Sequence, residues 1–204
     1  MKFLSRLAAV LRRRAILLTV LALWFVAIGA GYKLLLRYAQ TPGAQLTPPA
    51  QWPGGASIKH PGDRYTLVLF AHPECACTHA TLGELARIIA RYPNRVEVVV
   101  FVDLPKGTEK EWRAASLWDE ARRLPARVLA DPDGQAARLF GARTSGQTIL
   151  FDPAGAMRFH GGITESRGHE GDNNGSDAVL AILAGEQPAL AVTPVFGCAL
   201  FGDS

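Results

Sequence analysis

Two cysteines one residue apart, Cys75-Ala76-Cys77, follow directly on the apolar run Tyr65–Ala71. The local pattern reads as a buried strand, a short loop Ala71-His72-Pro73-Glu74, the cysteine pair and then a helix. A cysteine at a helix N-terminus meets unpaired backbone N–H groups and the positive end of the dipole, and both favour thiolate over thiol. Two chemistries suit such a pair. One is thiol–disulfide exchange, with Cys75 attacking and Cys77 resolving. A disulfide needs Cα atoms roughly 4.4–6.8 Å apart, which residues i and i+2 reach in a turn but scarcely in a regular helix or straight strand. The small ring should be strained, and so easier to reduce and more oxidising than a relaxed pair. The other chemistry is capture of a soft metal, chiefly copper(I), by thiolates with imidazole help. Cys75, Cys77 and His169 are the candidate ligands, and His72, His79 and His160 are further imidazoles. The third cysteine, Cys198, lies near the C-terminus as a second possible resolving thiol. Three cysteines are too few for a disulfide-stapled scaffold.

The elements that must position these thiols alternate between strand and helix. Tyr65–Ala71 reads as a buried strand, and Thr78–Arg91 carries a helical apolar stripe at Leu82, Leu85, Ile88 and Ile89. Val96–Val102 is almost continuously β-branched, as a central strand is. A helix is expected over Glu109–Leu124, a short strand over Arg127–Ala130, a turn at Asp131–Gly134 and a short helix over Gln135–Phe140. Gln147–Phe151 and Met157–His160 flank the turn Asp152–Gly155 as a hairpin. Ser176–Ala184 is a last helix that Gly185 stops. The fold class is therefore α/β, a mixed central sheet with helices on both faces.

The 204 residues contain about one domain beyond an N-terminal segment. Lys2, Arg6, Arg12, Arg13 and Arg14 supply much of the net charge of +4, so the remainder shows no nucleic-acid footprint. Residues 1–14 are a basic cytoplasmic segment and residues 15–36 an apolar stretch long enough to span a bilayer. The basic flank places the N-terminus inside and the rest outside, as a single-pass protein of a bacterial-type inner (plasma) membrane with its domain in the periplasm or outside. A cleaved signal peptide cut near Ala27–Gly31 is the alternative. Residues 37–63 are rich in proline and glycine and read as a tether. The domain occupies 64–186 and a tail 187–204 carries Cys198.

The strand ending Leu69-Phe70-Ala71, a cysteine five residues after Phe70, the unit Leu129–Gly141 and the hairpin Thr148–Gly155 stand in the order and spacing of the thioredoxin fold. They resemble its membrane-tethered TlpA-related branch, over about residues 64–186. The stretch Gly161–Asn173 is similar to a subgroup labelled RedB-like. The resemblance implies redox work on protein thiols or disulfides, with Cys75 as nucleophile. Two positions depart from the family pattern. Thr78 stands where the second cysteine is usual, with Cys77 between, and the usual cis-proline position falls on Gly146, followed by Gln147. A peroxiredoxin-like role is disfavoured because its reactive cysteine would fall near Thr78. Copper-delivery proteins on this fold use a cysteine pair and a distal histidine, so the ingredients are similar but the cysteine spacing differs. A third class is a binding module that keeps the fold without catalysis.

In this fold the site lies at the C-terminal end of the first strand, and the hairpin's second strand finishes at the same end. The loop Gly161–Gly175 should therefore emerge beside the thiols, where Arg167 or His169 can stabilise a thiolate or carry a proton. The last helix should run about 15 Å away from the site. The tail Glu186–Gly197 extends up to ~40 Å, enough to bring Cys198 back.

Overall fold

The computed structural model describes residues 2–108, 110 and 116–201. The chain divides into two units, residues 1–39 and 40–204. The first is helix α1, Lys2–Gln40. Within it, Leu11–Gln40 is a 30-residue apolar stretch long enough to cross a membrane, which fits an anchor or a signal sequence.

The second unit is built on a five-stranded sheet in the order β3-β2-β1-β4-β5. The strands are β1 Tyr65–Ala71, β2 Val96–Leu104, β3 Arg127–Pro132, β4 Thr148–Phe151 and β5 Met157–Gly161. β1 pairs with β2 in parallel, Leu67 opposite Val98, and β2 pairs with β3 in parallel. β4 runs antiparallel to β1, Leu69 opposite Thr148, and β5 antiparallel to β4. The helices are α2 Ala76–Arg91, α3 Ser116–Arg123, α4 Gln135–Leu139 and α5 Asn174–Ala184. Part of the helix expected over 109–124 lies outside the described residues. β3 runs two residues beyond its expected end because Asp131 and Pro132 still pair with Asp103 and Leu104.

Side-chain alternation along β1 sends Leu67, Leu69 and Ala71 to one face and Val68 and Phe70 to the other. The first face packs on α2, α3 and α5 through Leu85, Ile88, Trp118 and Val179. The second holds an aromatic cluster in which Phe70 stacks on Phe101 at 5.5 Å, beside Phe140 and Phe151. One five-residue helix, α4, is too short to cover that face. The proline- and glycine-rich segment expected as a tether does the rest. Trp52 meets Phe140 and Phe151 edge-on, each at 5.2 Å. The backbone is fixed as well: Trp52 N donates to Gly155 O at 2.8 Å, and Met157 N to Ala50 O at 2.9 Å. Ile58 is buried in the same cluster.

Candidate thiol site

β1 ends at Ala71, and α2 begins at Ala76, two residues earlier than the apolar stripe indicates. Cys75 is therefore the N-cap residue, with extended φ −84° and ψ 101°, and Cys77 is the second helical residue. Cys75 thus sits at the strand-to-helix corner and Cys77 within the first turn of the helix. Cys75 N donates to His72 O at 3.0 Å and Thr78 N to Cys75 O at 3.0 Å, closing the corner. Cys75 is only 1% exposed.

The loop before β4 forms the opposite wall. Gly146 N donates to Phe70 O at 2.8 Å, and Phe70 N donates to Gln147 O at 3.0 Å. Gly146 has φ +90°. Proline fixes φ near −65° and has no N–H, so the chain conformation here excludes the proline the family pattern calls for. The Gln147 side chain turns away from the thiols: it accepts from Arg143 N at 3.2 Å and donates to Gly141 O at 3.3 Å. Ser145, which the sequence did not single out, is the residue of this loop that reaches the site. Its buried hydroxyl accepts from His72 N at 2.8 Å and lies 2.6 Å from the Thr78 hydroxyl. That mutual contact uses one of their two protons; the other points at Cys75, and both hydroxyls favour its thiolate. Thr78 is the third helical residue, whose side chain reaches back to an N-cap, as in a capping box.

The tail returns to the same place. Thr193 N donates to His160 O at 3.3 Å, and Gly162 N to Pro194 O at 3.2 Å, along the end of β5. Further on, Ser145 N donates to Cys198 O at 2.8 Å and Leu200 N to Arg143 O at 3.0 Å, and Thr144 bridges Ala199 in the antiparallel sense. This pairing sets the Cys198 N–H 3.4 Å from the Cys75 sulfur. Gly197 lies so close that a Cβ there would overlap the Ser145 carbonyl oxygen.

These contacts separate the three thiols. Burial pushes Cys75 up, but the Thr78 hydroxyl, the Cys198 N–H and thiol, and the Ser145 hydroxyl outweigh it and bring the group from 9.0 down to about 7. Burial and the nearby Cys75 charge push Cys77 up, against the pull of Arg167. Burial, donation to Cys75 and the charges of Cys75 and Cys77 push Cys198 up to about 11. Cys75 is thus the most readily ionised of the three thiols.

Arg167 arrives from the loop after β5, as its topology requires. It donates to Gly197 O at 2.6 Å and hydrogen-bonds Cys77. Buried Glu84 on α2 holds that loop, accepting from Gly171 N at 2.7 Å and Ser176 Oγ at 3.2 Å. His169 does not reach the thiols. It is exposed, and its backbone N–H donates to Ser166 O at 3.3 Å within its own loop. His79 pairs with Glu120 of α3, and His160 is buried under the tail. Among the described residues no three His, Cys, Asp or Glu side chains converge as metal ligands. Cys75, Cys77 and His169 therefore do not gather as a three-ligand set. A hollow of about 350 Å³ is lined by His72, Asp103, Arg138, Leu200 and Phe201. Burial, and then the Asp131 charge, raise Asp103 from 3.8 to about 6.

No family model matches the chain, and no curated protein matches it. Solved structures do. A hypothetical protein of Sinorhizobium meliloti 1021 aligns at TM-score 0.59 and 19% identity, covering 78% of this chain and 93% of that one. An uncharacterized conserved protein of Geobacillus kaustophilus aligns at TM-score 0.59 and 20% identity, covering 80% and 93%. A secreted Mycobacterium tuberculosis disulfide oxidoreductase homologous to E. coli DsbE aligns at TM-score 0.45 and 15% identity, covering 73% and 98%. The fold is thioredoxin-like: parallel β1, β2 and β3, an antiparallel β4–β5 hairpin, and a cysteine capping the helix after β1.

Proposed function

We propose that this chain is a membrane-tethered thiol–disulfide oxidoreductase of the TlpA-related, RedB-like kind, held by α1 with its domain outside the cytoplasm. The observation that carries the reading is the Cys75 sulfur, set under the Cys198 N–H and the paired Thr78 and Ser145 hydroxyls and lowered to about 7 while Cys77 and Cys198 are pushed up. At neutral pH about half of such a group is thiolate, ~50-fold more than for a thiol at 9. Cys75 attacks a partner disulfide; one partner sulfur leaves as thiolate and takes a proton. A second thiol of this chain then gives up its proton and displaces the other partner sulfur, leaving an intramolecular disulfide and a reduced partner.

The test is reaction of the full-length reduced chain with a chromogenic aromatic disulfide. The parent and Cys77→Ser should release the aromatic thiolate, and Cys75→Ser should lose the fast phase. An equal fast phase in Cys75→Ser would contradict the reading. Complete inertness of the parent would favour a binding module that keeps the fold without the chemistry.

A further inference from the structure

The tail carries two sets of contacts with different consequences. Residues 191–195 are fastened to β5: His160 N donates to Ala191 O at 3.1 Å, and buried Thr193 donates its hydroxyl to Gly162 O at 2.7 Å. Residues 196–200 instead lie against the loop that faces Cys75, using the backbone groups Ser145 N and Arg143 O. An extended partner segment offers its backbone to exposed groups of this kind by strand addition. In this chain the tail already occupies them, and the residue it sets on the Cys75 sulfur is itself a cysteine. Cys75, at 1% exposure, is out of a partner's reach while that strand is seated.

We infer that residues 196–200 are an internal stand-in for a partner strand, and that Cys198, not Cys77, resolves the mixed disulfide on Cys75. The inference rests on Cys75 being the attacking thiol. The strand lifts, a partner disulfide enters, and the Cys75–partner bond forms as the partner's first sulfur leaves and is protonated. The strand then returns. Cys198 loses its proton and attacks the Cys75 sulfur, and the partner's second sulfur leaves as thiolate and takes up a proton. Two thiols of this chain become one disulfide, and one partner disulfide becomes two thiols. The returning backbone claims Ser145 N and Arg143 O, so resolution and eviction of the partner are one event. Cys77 is less suited. It sits in the first turn of α2 under Arg167, and joining it to Cys75 distorts that turn.

The experiment uses the full-length chain in detergent with glutathione disulfide as probe, acid quench and mass mapping. The Cys77→Ser chain should close a Cys75–Cys198 disulfide at nearly the parent rate. The Cys198→Ser chain should accumulate the glutathione adduct on Cys75, its decay slowed at least ~10-fold by loss of the tethered thiol. Gly197→Ala should unseat the strand without touching a thiol. It should speed alkylation of Cys75 by iodoacetamide and slow closure in the Cys77→Ser background. The inference is overturned if Cys77→Ser stops at the adduct while Cys198→Ser closes as the parent does, a result that leaves the Cys75 chemistry intact. Absence of any adduct on Cys75 in every chain overturns both.

Discussion

Removing the hydroxyls of Thr78 and Ser145 together should raise the Cys75 pKa, and removing either alone should do so much less. The reason is a count of protons. Each hydroxyl carries one, and the 2.6 Å contact between them uses one of the two. Only one proton is then left to point at the sulfur. In Thr78→Val the Ser145 proton turns to Cys75, and in Ser145→Ala the Thr78 proton does. In Thr78→Val/Ser145→Ala neither remains. A hydrogen bond to a charged group contributes about 1.5 kcal/mol, which is about one pKa unit. The Cys75 midpoint should therefore move from about 7 to near 8. At pH 7 the thiolate fraction falls from about a half to about a tenth, so alkylation slows ~5-fold. Near pH 10 parent and double variant should react at similar rates. The assay is the iodoacetamide rate between pH 5 and 10, with Cys75 followed by mass spectrometry in a Cys77→Ser/Cys198→Ala background. That background removes the Cys198 thiol but keeps its backbone N–H, so its own midpoint is the reference. Additive single shifts, or a double variant that does not move, would refute the proton count.

Three other outcomes follow from the same contacts. Gly146→Pro, which restores the family pattern on paper, should destabilise the domain by ~3 kcal/mol or more in urea unfolding, because proline reaches neither φ +90° nor the bond to Phe70 O. Asp103 holds its proton up to about pH 6 when folded and to 3.8 when unfolded, so stability should fall as pH rises through that window. Asp103→Asn should reduce that slope, to which raised Asp131 also contributes, and gain about 1–3 kcal/mol at pH 7 but nothing at pH 3, read from urea midpoints at each pH. Glu84→Ala should cost about 2 kcal/mol by stranding Gly171 N and removing an acceptor of Ser176 Oγ, and should speed amide exchange in the loop that carries Arg167.

The sheet was legible because β1 and β2 are nearly continuous apolar runs and the α2 stripe repeats at helical spacing. Cys75 was legible because a cysteine at a strand-to-helix corner has a local electrostatic meaning. The role of residues 41–60 was not. Trp52 and Ile58 stand singly among prolines and glycines, with no period to reveal that they close a sheet face. Ser145 was missed for a related reason: its value lies in reaching Thr78 across 67 positions of sequence, which no local pattern encodes. Gly146 could be placed in register, but its positive φ comes from the tertiary turn. The tail was half legible. Its length allowed a return to the thiols, but not the strand register that puts Cys198 N on Cys75. His169 was expected beside the thiols with the rest of its loop. Glu84 draws Gly171 toward α2, and of the two basic residues only Arg167 reaches Cys77.

The central claim is that Cys75 makes and breaks an intramolecular disulfide reversibly. Equilibrating the full-length chain in glutathione buffers of graded ratio, then trapping and mapping its thiols, measures this directly. A single two-electron transition, with Cys75 in the disulfide on the oxidised side and free on the reduced side, is the result expected. A Cys75 that stays a free thiol at every ratio would contradict it.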